Sequence, residues 1–234
     1  MNKIKNLELS KNVRKNILKI SHKANSSHVG SSLSIVDLLV TIYNEIIKPK
    51  SKKHLENSPY KLILSKGHAC LALYCVLHEM KILNKKTLLS FGNENSLLMQ
   101  HVSHKVPGVI LSTGSLGHGL PVGTGLALSS KLRNKKKIIL VLISDGELNE
   151  GTTWEALLFA AHHQLDNLVV IVDYNKLQSL TTVKKTLNVE PLAKKFQSFG
   201  CKTKFVNGHN FNQIKKNILL KNSKKHLVII ANTI

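Results

Sequence analysis

Apolar positions along this chain follow two different rhythms. Near the start, Leu9, Val13, Ile17 and Ile20 recur at spacings of three and four, the signature of one buried face of a helix. A second helix is expected to begin at Ser34, whose hydroxyl could cap it with Asp37 three residues on, and to run through Leu38, Leu39, Ile42 and Tyr43 to Pro49. Beyond that point short apolar runs alternate with helical stretches. Residues 61–65, 109–113, 138–143, 168–174, 202–206 and 226–234 read as strands, and 68–80, 120–132, 152–164, 192–200 and 210–220 as helices. Continuous β-branched runs without alternation point to strands buried on both faces, and strands alternating with helices point to a parallel sheet. The expected fold is α/β, a doubly wound parallel sheet. No internal repeat, low-complexity tract or Pro/Gly/Ser linker interrupts the pattern, so residues 1–234 are expected to form one domain.

Composition narrows the classes. The chain has 234 residues, 42% of them apolar, enough for one well-buried core. No run approaches the roughly 20 apolar residues that span a bilayer, and the first residues carry charge without an apolar stretch, so a cytoplasmic protein with no membrane partner is expected. Cys70, Cys75 and Cys201 form no C-x-x-C pair and read as small buried hydrophobes. The net charge of +21 raises nucleic-acid binding as a possibility. Against it, Arg14 and Arg133 are the only arginines, aromatics make up 5%, and the lysines are spread along the chain with short runs at 135–137, 184–185 and 224–225. Arginine is the residue suited to bidentate contact with bases and phosphates. No specific nucleic-acid partner is expected, and the charge reads as solvated faces that would also steer anionic substrates.

In parallel sheets, ligands sit beyond the carboxyl ends of the strands. The turns after Ser65, Ser112, Ile143 and Tyr174 are therefore the places to look, and they hold most of the unusual chemistry. They read Ser65-Lys66-Gly67-His68, Ser112-Thr113-Gly114-Ser115-Leu116-Gly117-His118-Gly119, Ser144-Asp145-Gly146-Glu147-Leu148-Asn149-Glu150-Gly151 and Asp173-Tyr174-Asn175-Lys176-Leu177. Asp145 and Asn175, each just past a buried strand with a crossover between them, would bring a carboxylate and a carboxamide oxygen together. Two such oxygens plus a diphosphate suit Mg²⁺, a hard cation that keeps waters and phosphate oxygens among its six ligands. Gly114, Gly117, Gly119 and Gly146 would let backbone N–H groups approach a phosphate, and the helix that follows would add its dipole. Any one of these loops alone is a weak signal. Their coincidence points to a Mg²⁺–diphosphate site.

With these residues in view, the sequence resembles the transketolase family. The stretch from Ser144 through Asp145, Gly146, Glu147, Asn149, Glu150 and Trp154 to Asp173 and Asn175, thirty positions from Asp145 to Asn175, looks like its thiamine-diphosphate signature. Ala24-Asn25-Ser26-Ser27-His28-Val29-Gly30, Leu64-Ser65-Lys66-Gly67-His68-Ala69 and Thr113-Gly114-Ser115-Leu116-Gly117-His118-Gly119 match in order and spacing, so the resemblance runs essentially end to end. Other thiamine-dependent classes, such as deoxyxylulose-phosphate synthases, share the metal motif but match the His28 and His68 stretches less well.

The resemblance implies the thiamine-diphosphate-binding fold, with thiamine diphosphate and Mg²⁺ as cofactors. Asp145 and Asn175 would ligate the metal through side chains and Leu177 through its carbonyl. His68 and the backbone around Gly114, Ser115, Leu116 and Gly146 would hold the cofactor, and Asn175 would also lie against it. His28 and His101 would meet sugar hydroxyls at the reacting carbon, a sensible place for a group that moves protons near neutral pH. Glu150 would join a polar network across the subunit interface. The implied activity is transfer of a two-carbon ketol unit between sugars or sugar phosphates, the cofactor acting as electron sink. His22, His54, His162, His163 and His226 lack such settings and read as surface or satisfied core, and Trp154 as a core or interface anchor.

The sequence also departs from the family. Ser144 stands where a glycine is usual, Ser27 and Val29 flank His28 in place of Gly and Pro, and His118 replaces a common Gln; these changes resemble the two-subunit forms. The pyrimidine-binding domain with its activating glutamate is not in this sequence, and the family's first domain continues past a strand like 226–234 to a further histidine. The chain alone is therefore expected to be inert and to need a C-terminal transketolase-type subunit carrying that domain and glutamate. A non-catalytic, truncated cofactor-binding remnant and, more remotely, a basic nucleic-acid-binding protein are the alternatives.

Overall fold

A computed structural model describes residues 2–220 and 225–234, with the side chains of residues 2 and 3 left aside, so that Lys224 of the last lysine pair lies outside the described residues. Five strands, β1 (Tyr60–Leu64), β2 (Ile138–Ser144), β3 (Leu168–Tyr174), β4 (Lys202–Asn207) and β5 (Leu227–Asn232), form one sheet in the order β1-β2-β3-β5-β4. Every pairing is parallel. The central strands are buried throughout β3 and through all but the first residue of β2, as their unbroken apolar runs require.

Alternate residues of these strands enter two separate cores. Leu140, Leu142, Val169, Ile171, Leu227 and Ile229 face one, with the helices α1 (Asn2–Lys23), α3 (Val36–Val40), α5 (Cys70–Glu79) and α11 (Phe211–Ile218). Ile139, Val141, Ile143, Val170, Val172, Val228 and Ile230 face the other, with α7 (Gly119–Leu132), α8 (Gly151–His162) and α10 (Leu192–Ser198). A sheet covered on both faces is the doubly wound arrangement expected, with α4 (Lys52–Asn57), α6 (Lys85–Leu89) and α9 (Val183–Thr186) as short helices in the connections. The outer strand β4 keeps solvent contact through Lys202, Thr203, Lys204 and Phe205, the lysines discouraging edge-to-edge pairing. No described helix is long and apolar enough to cross a membrane. Cys70, Cys75 and Cys201 are buried free thiols, as their spacing suggested.

Two expectations are corrected. Residues 109–113 form no strand. Gly108 turns the chain at φ +91°, Ile110 is left 40% exposed, and the run passes over the end of β1, where the Thr113 hydroxyl donates to the Leu64 carbonyl at 2.6 Å. Ser34 does not cap a helix. It ends α2 (Val29–Ser34), its hydroxyl donates to Asp173 at 2.7 Å, and the chain continues after a one-residue break as α3 and a π-helical turn, Thr41–Ile47, before stopping at Lys48 ahead of Pro49.

Gly67 marks where β1 hands over to the site. A Cβ there would lie 2.3 Å from the Thr113 carbonyl oxygen, a backbone atom with nowhere to go. Gly67→Ala is expected to destabilise the chain by about 1–3 kcal/mol through overpacking, read as a lower urea midpoint. Gly30→Ala, whose Cβ meets nothing within 4 Å, is expected to leave that midpoint unchanged or raise it.

Candidate active site

The carboxyl ends of β1, β2 and β3 lie side by side, so the turns at Ser65, Asp145 and Asn175 share one edge of the sheet. The segment 112–119 reaches the same edge without a strand of its own, through Thr113 on Leu64. All four predicted loops therefore converge.

Glu147, fully buried, binds three of them together. Its carboxylate accepts from the Ser65 hydroxyl, from Gly117 N at 3.1 Å and from Ser144 N at 2.8 Å. Ser144 Oγ in turn accepts from Glu147 N at 3.3 Å, a reciprocal Ser-x-x-Glu capping box. That exchange explains why serine serves where a glycine was expected: Ser144 is the last residue of β2, in ordinary extended backbone, and its hydroxyl is used. Burial pushes the Glu147 carboxyl up, opposed by the Ser65 hydroxyl and the two backbone donors. One expectation fails here. The Gly117 N–H is committed to Glu147 and is not free for a phosphate; the glycine is required instead by φ +78° and by Glu150 and Thr152, whose atoms lie 2.6 Å from any added Cβ.

A second buried carboxylate, Asp173 on β3, accepts from Ser34 Oγ at 2.7 Å, from Lys66 Nζ and from Thr233 Oγ1. Lys66 is 1% exposed. A lysine so placed is almost never found without a partner, and Asp173 supplies it.

Asp145 and Asn175 do come together. Asp145 follows β2 and is buried, and its carboxylate accepts from Lys176 N at 2.8 Å, so it lies on the turn that holds Asn175 and Leu177. Asn175 Oδ1 accepts from Leu177 N at 2.9 Å, closing that turn on itself. Burial, with Asp173 nearby adding to it, pushes the Asp145 carboxyl up to about 6, against the pull of the Lys176 N–H.

His28, His68 and His101 also cluster. The ring centres of His28 and His68 are 5.2 Å apart, and those of His28 and His101 5.9 Å. Gly114 packs against the His101 ring, where a Cβ would come within 3.2 Å. Burial, then Lys66 and the other two histidines, pushes His68 down to about 4, so its ring is neutral at physiological pH; His28 is lowered by burial and then by His101. Ser115 is exposed and Leu116 half-buried on the connecting loop, Gly146 opens the turn after Asp145, and Glu150 is exposed at the start of α8 beside Gly117. Of the histidines given no role, His22, His54 and His162 are exposed and His163 is half-buried, while His226 is fully buried with Nε2 2.9 Å from Cys201 Sγ and its Nδ1 without a partner among the described residues. Trp154 packs on Phe196 and Phe199 and donates to Leu148 O at 2.9 Å. Sequence reasoning gave no role in the site to Lys66, Glu147 or Asp173, and took Ser34 for a helix cap. The spacing of Ser144 and Glu147 was a readable signal for one of them.

The family described as transketolase, thiamine diphosphate binding domain, matches residues 6–234. This chain belongs to that family. It is 40% identical over 232 residues to one of the subunits of the apulose-4-phosphate transketolase of Actinobacillus succinogenes, covering 96% of this chain and 82% of the relative. A 6-deoxy-6-sulfo-D-fructose transketolase subunit from a Clostridium species is 34% identical over 205 residues, 86% of this chain and 74% of its own length. Transketolase from Campylobacter jejuni superposes with a TM-score of 0.86 at 29% identity, over 97% of this chain. The chain spans only 37% of that transketolase. The fold expected from the resemblance, the thiamine-diphosphate-binding fold of transketolases, is the fold found.

The raised Asp145 carboxyl makes stability depend on pH in the ligand-free chain. The unfolded carboxyl loses its proton near 4 and the folded one near 6, so stability falls as pH rises through that interval and stays lower above it. Asp145→Asn is expected to remove this segment of the dependence and to be more stable than the parent at pH 7, by on the order of 2 kcal/mol. Urea unfolding of both at pH 4 and pH 7 measures it; a gap that does not widen toward pH 7 contradicts the assignment.

Proposed function

We propose that this chain is the diphosphate-holding subunit of a transketolase-type enzyme, transferring a two-carbon ketol unit between sugar phosphates together with a second subunit. The observation behind the proposal is the meeting of three histidines with the Asp145–Asn175 turn at one edge of a sheet of this family. The relatives' names, among them one that designates a single subunit of an apulose-4-phosphate transketolase, support both the divided enzyme and a phosphorylated sugar. A net charge of +21 favours anionic substrates on approach. The partner in this reading is a C-terminal transketolase-type subunit with the pyrimidine-binding domain and activating glutamate, and a cytoplasmic setting suits three buried thiols.

The residues present fit the cofactor. Gln178 Nε2 is buried without a hydrogen-bond partner, and its side chain lies 3.7 Å from where a Cβ on Gly146 would stand, a donor beside an open backbone as a diphosphate oxygen requires. The Asp145 carboxylate, Asn175 Oδ1 and the Leu177 carbonyl are all oxygens, the donor type that Mg²⁺ takes. Thiamine diphosphate, when bound, supplies the electron sink for cleavage of the ketose carbon–carbon bond. Asp145, Asn175 and Leu177 hold the metal; His68, neutral, donates one ring N–H; and the backbone of Gly114, Ser115, Leu116 and Gly146 lines the cofactor's path. His28 and His101 face the sugar, where His28, kept neutral by burial, accepts a hydroxyl proton and returns it. Glu150, exposed beside Gly117, lies where a partner subunit can complete the polar network.

Cofactor binding is expected to require the divalent metal and to vanish in Asp145→Ala, measured by calorimetric titration of thiamine diphosphate into the assembled complex with Mg²⁺ or with chelator. Undiminished affinity in chelator would sink the metal assignment. His28→Ala and His101→Ala are expected to slow ketol transfer by about 10²-fold or more while leaving cofactor affinity nearly intact. Equal losses in both quantities would move these histidines to the cofactor side, and turnover of sugar phosphates by this chain unaided would remove the second subunit from the reading.

A further inference from the structure

We infer that Asp173, Lys66 and Ser34 form a positioning unit that fixes His28 against His68, an inference that rests on the sugar-facing role proposed for His28. His28 immediately precedes α2, and the hydroxyls of Ser31 and Ser32 both donate to its carbonyl, at 3.1 and 3.0 Å. This short helix and its leading histidine therefore move as one piece. The other end of the piece is Ser34, 1% exposed, whose hydroxyl reaches Asp173 Oδ2 at 2.7 Å. The same oxygen accepts from Lys66 Nζ. Lys66 leads into the tight turn Gly67–Ala69, closed by Ala69 N on Lys66 O at 2.9 Å, and that turn carries His68. One carboxylate oxygen is thus the point at which the two histidine-bearing pieces meet. The third histidine hangs from the same turn, since Val102 N, next to His101, donates to Gly67 O at 3.2 Å.

Stability alone does not call for such an arrangement, because well-packed apolar residues usually serve as well as a buried ion pair. A shared oxygen does what apolar packing does not: it sets the distance and direction between two donors at once. The metal-side turn is hydrogen-bonded to Asp173 differently, through the backbone, with Asp145 N on Asp173 O at 3.2 Å, although the carboxylate's charge also reaches Asp145. The contacts of Ser34 and Lys66 on Oδ2 therefore belong to the histidine-bearing pieces, and losing the Ser34 hydroxyl leaves the backbone bond to the turn of Asp145 and Asn175 in place. Asp173, Lys66 and Ser34 touch neither the sugar nor the cofactor in this account.

The separation is testable with Ser34→Ala, which removes one hydroxyl and keeps the buried ion pair, in the full chain carrying ¹⁵N-labelled histidine. The His28 ring signals, identified by their loss in His28→Gln, are expected to shift, and the proton contact between the His28 and His68 rings to weaken. Thiamine diphosphate affinity in Mg²⁺ is expected to stay unchanged within error. In the complex with its second subunit, kcat/KM for the sugar should fall roughly 10- to 10²-fold, the usual cost of a small misplacement. Ser34→Cys, similar in size with a weaker donor, should shift His28 in the same direction by less. His28 signals that stay in place in Ser34→Ala, or all 12 histidines moving together, would overturn the inference. Absence of ketol transfer in the unsubstituted complex would instead count against the proposed function, while the ring signals still decide the positioning role.

Discussion

A lysine and an aspartate buried against each other at the carboxyl end of the sheet set the terms for everything built above them. Each ion taken out of water costs several kcal/mol, and only close pairing with full hydrogen bonding offsets that cost. Asp173 meets the condition with Ser34, Lys66 and Thr233, donors from three different parts of the chain. Removing any one leaves a buried charge under-satisfied, so the turn after β1, the end of α2 and the residue after β5 are held to one point. Glu147 does the same for Ser65, Gly117 and Ser144. The loops of the site are ordered because two carboxylates inside the protein need their donors.

This explains a division of labour among the glycines. Gly67 and Gly119 are where backbone passes within van der Waals contact of backbone or of Ser65, so that even a methyl group collides. Gly146 is different: its hypothetical Cβ finds only ordinary contacts, 3.7 Å or more away, and an unpartnered carboxamide nitrogen stands beside it. Glycines of the first kind let the loops converge. The second kind leaves room for something to bind, and the two kinds look alike in the sequence.

The fold was legible because its signals are local. Buried parallel strands show as unbroken apolar runs, and β2, β3 and β5 lie where those runs are; the long helices follow from period and length. The loops of the site were legible for a related reason, since parallel strands fix which ends carry ligands. What could not be read depended on partners distant in sequence. Residues 109–113 have a strand's composition, but Gly108 and the bond from Thr113 to Leu64 route them across the end of β1. Ser34 has a cap's chemistry, but its hydroxyl is taken by Asp173, 139 residues away. Lys66 stood in one of the turns singled out, but nothing local showed that its side chain would be buried.

That lysine also separates two electrostatic scales that the net charge of +21 conflates. Exposed lysines act at a distance, through a field that solvent ions screen within about 8 Å at physiological salt. They can raise the local concentration of an anionic sugar but cannot set the geometry of a buried loop. Lys66 is shielded from solvent, and its field is felt by Asp145, Glu147 and His68 as well as by Asp173. It lowers the Asp145 and Glu147 carboxyls while burial raises them, and it helps keep His68 neutral. A single internal ammonium therefore supports buried carboxylates on one side and an uncharged imidazole on the other, two conditions that no amount of surface charge could impose together.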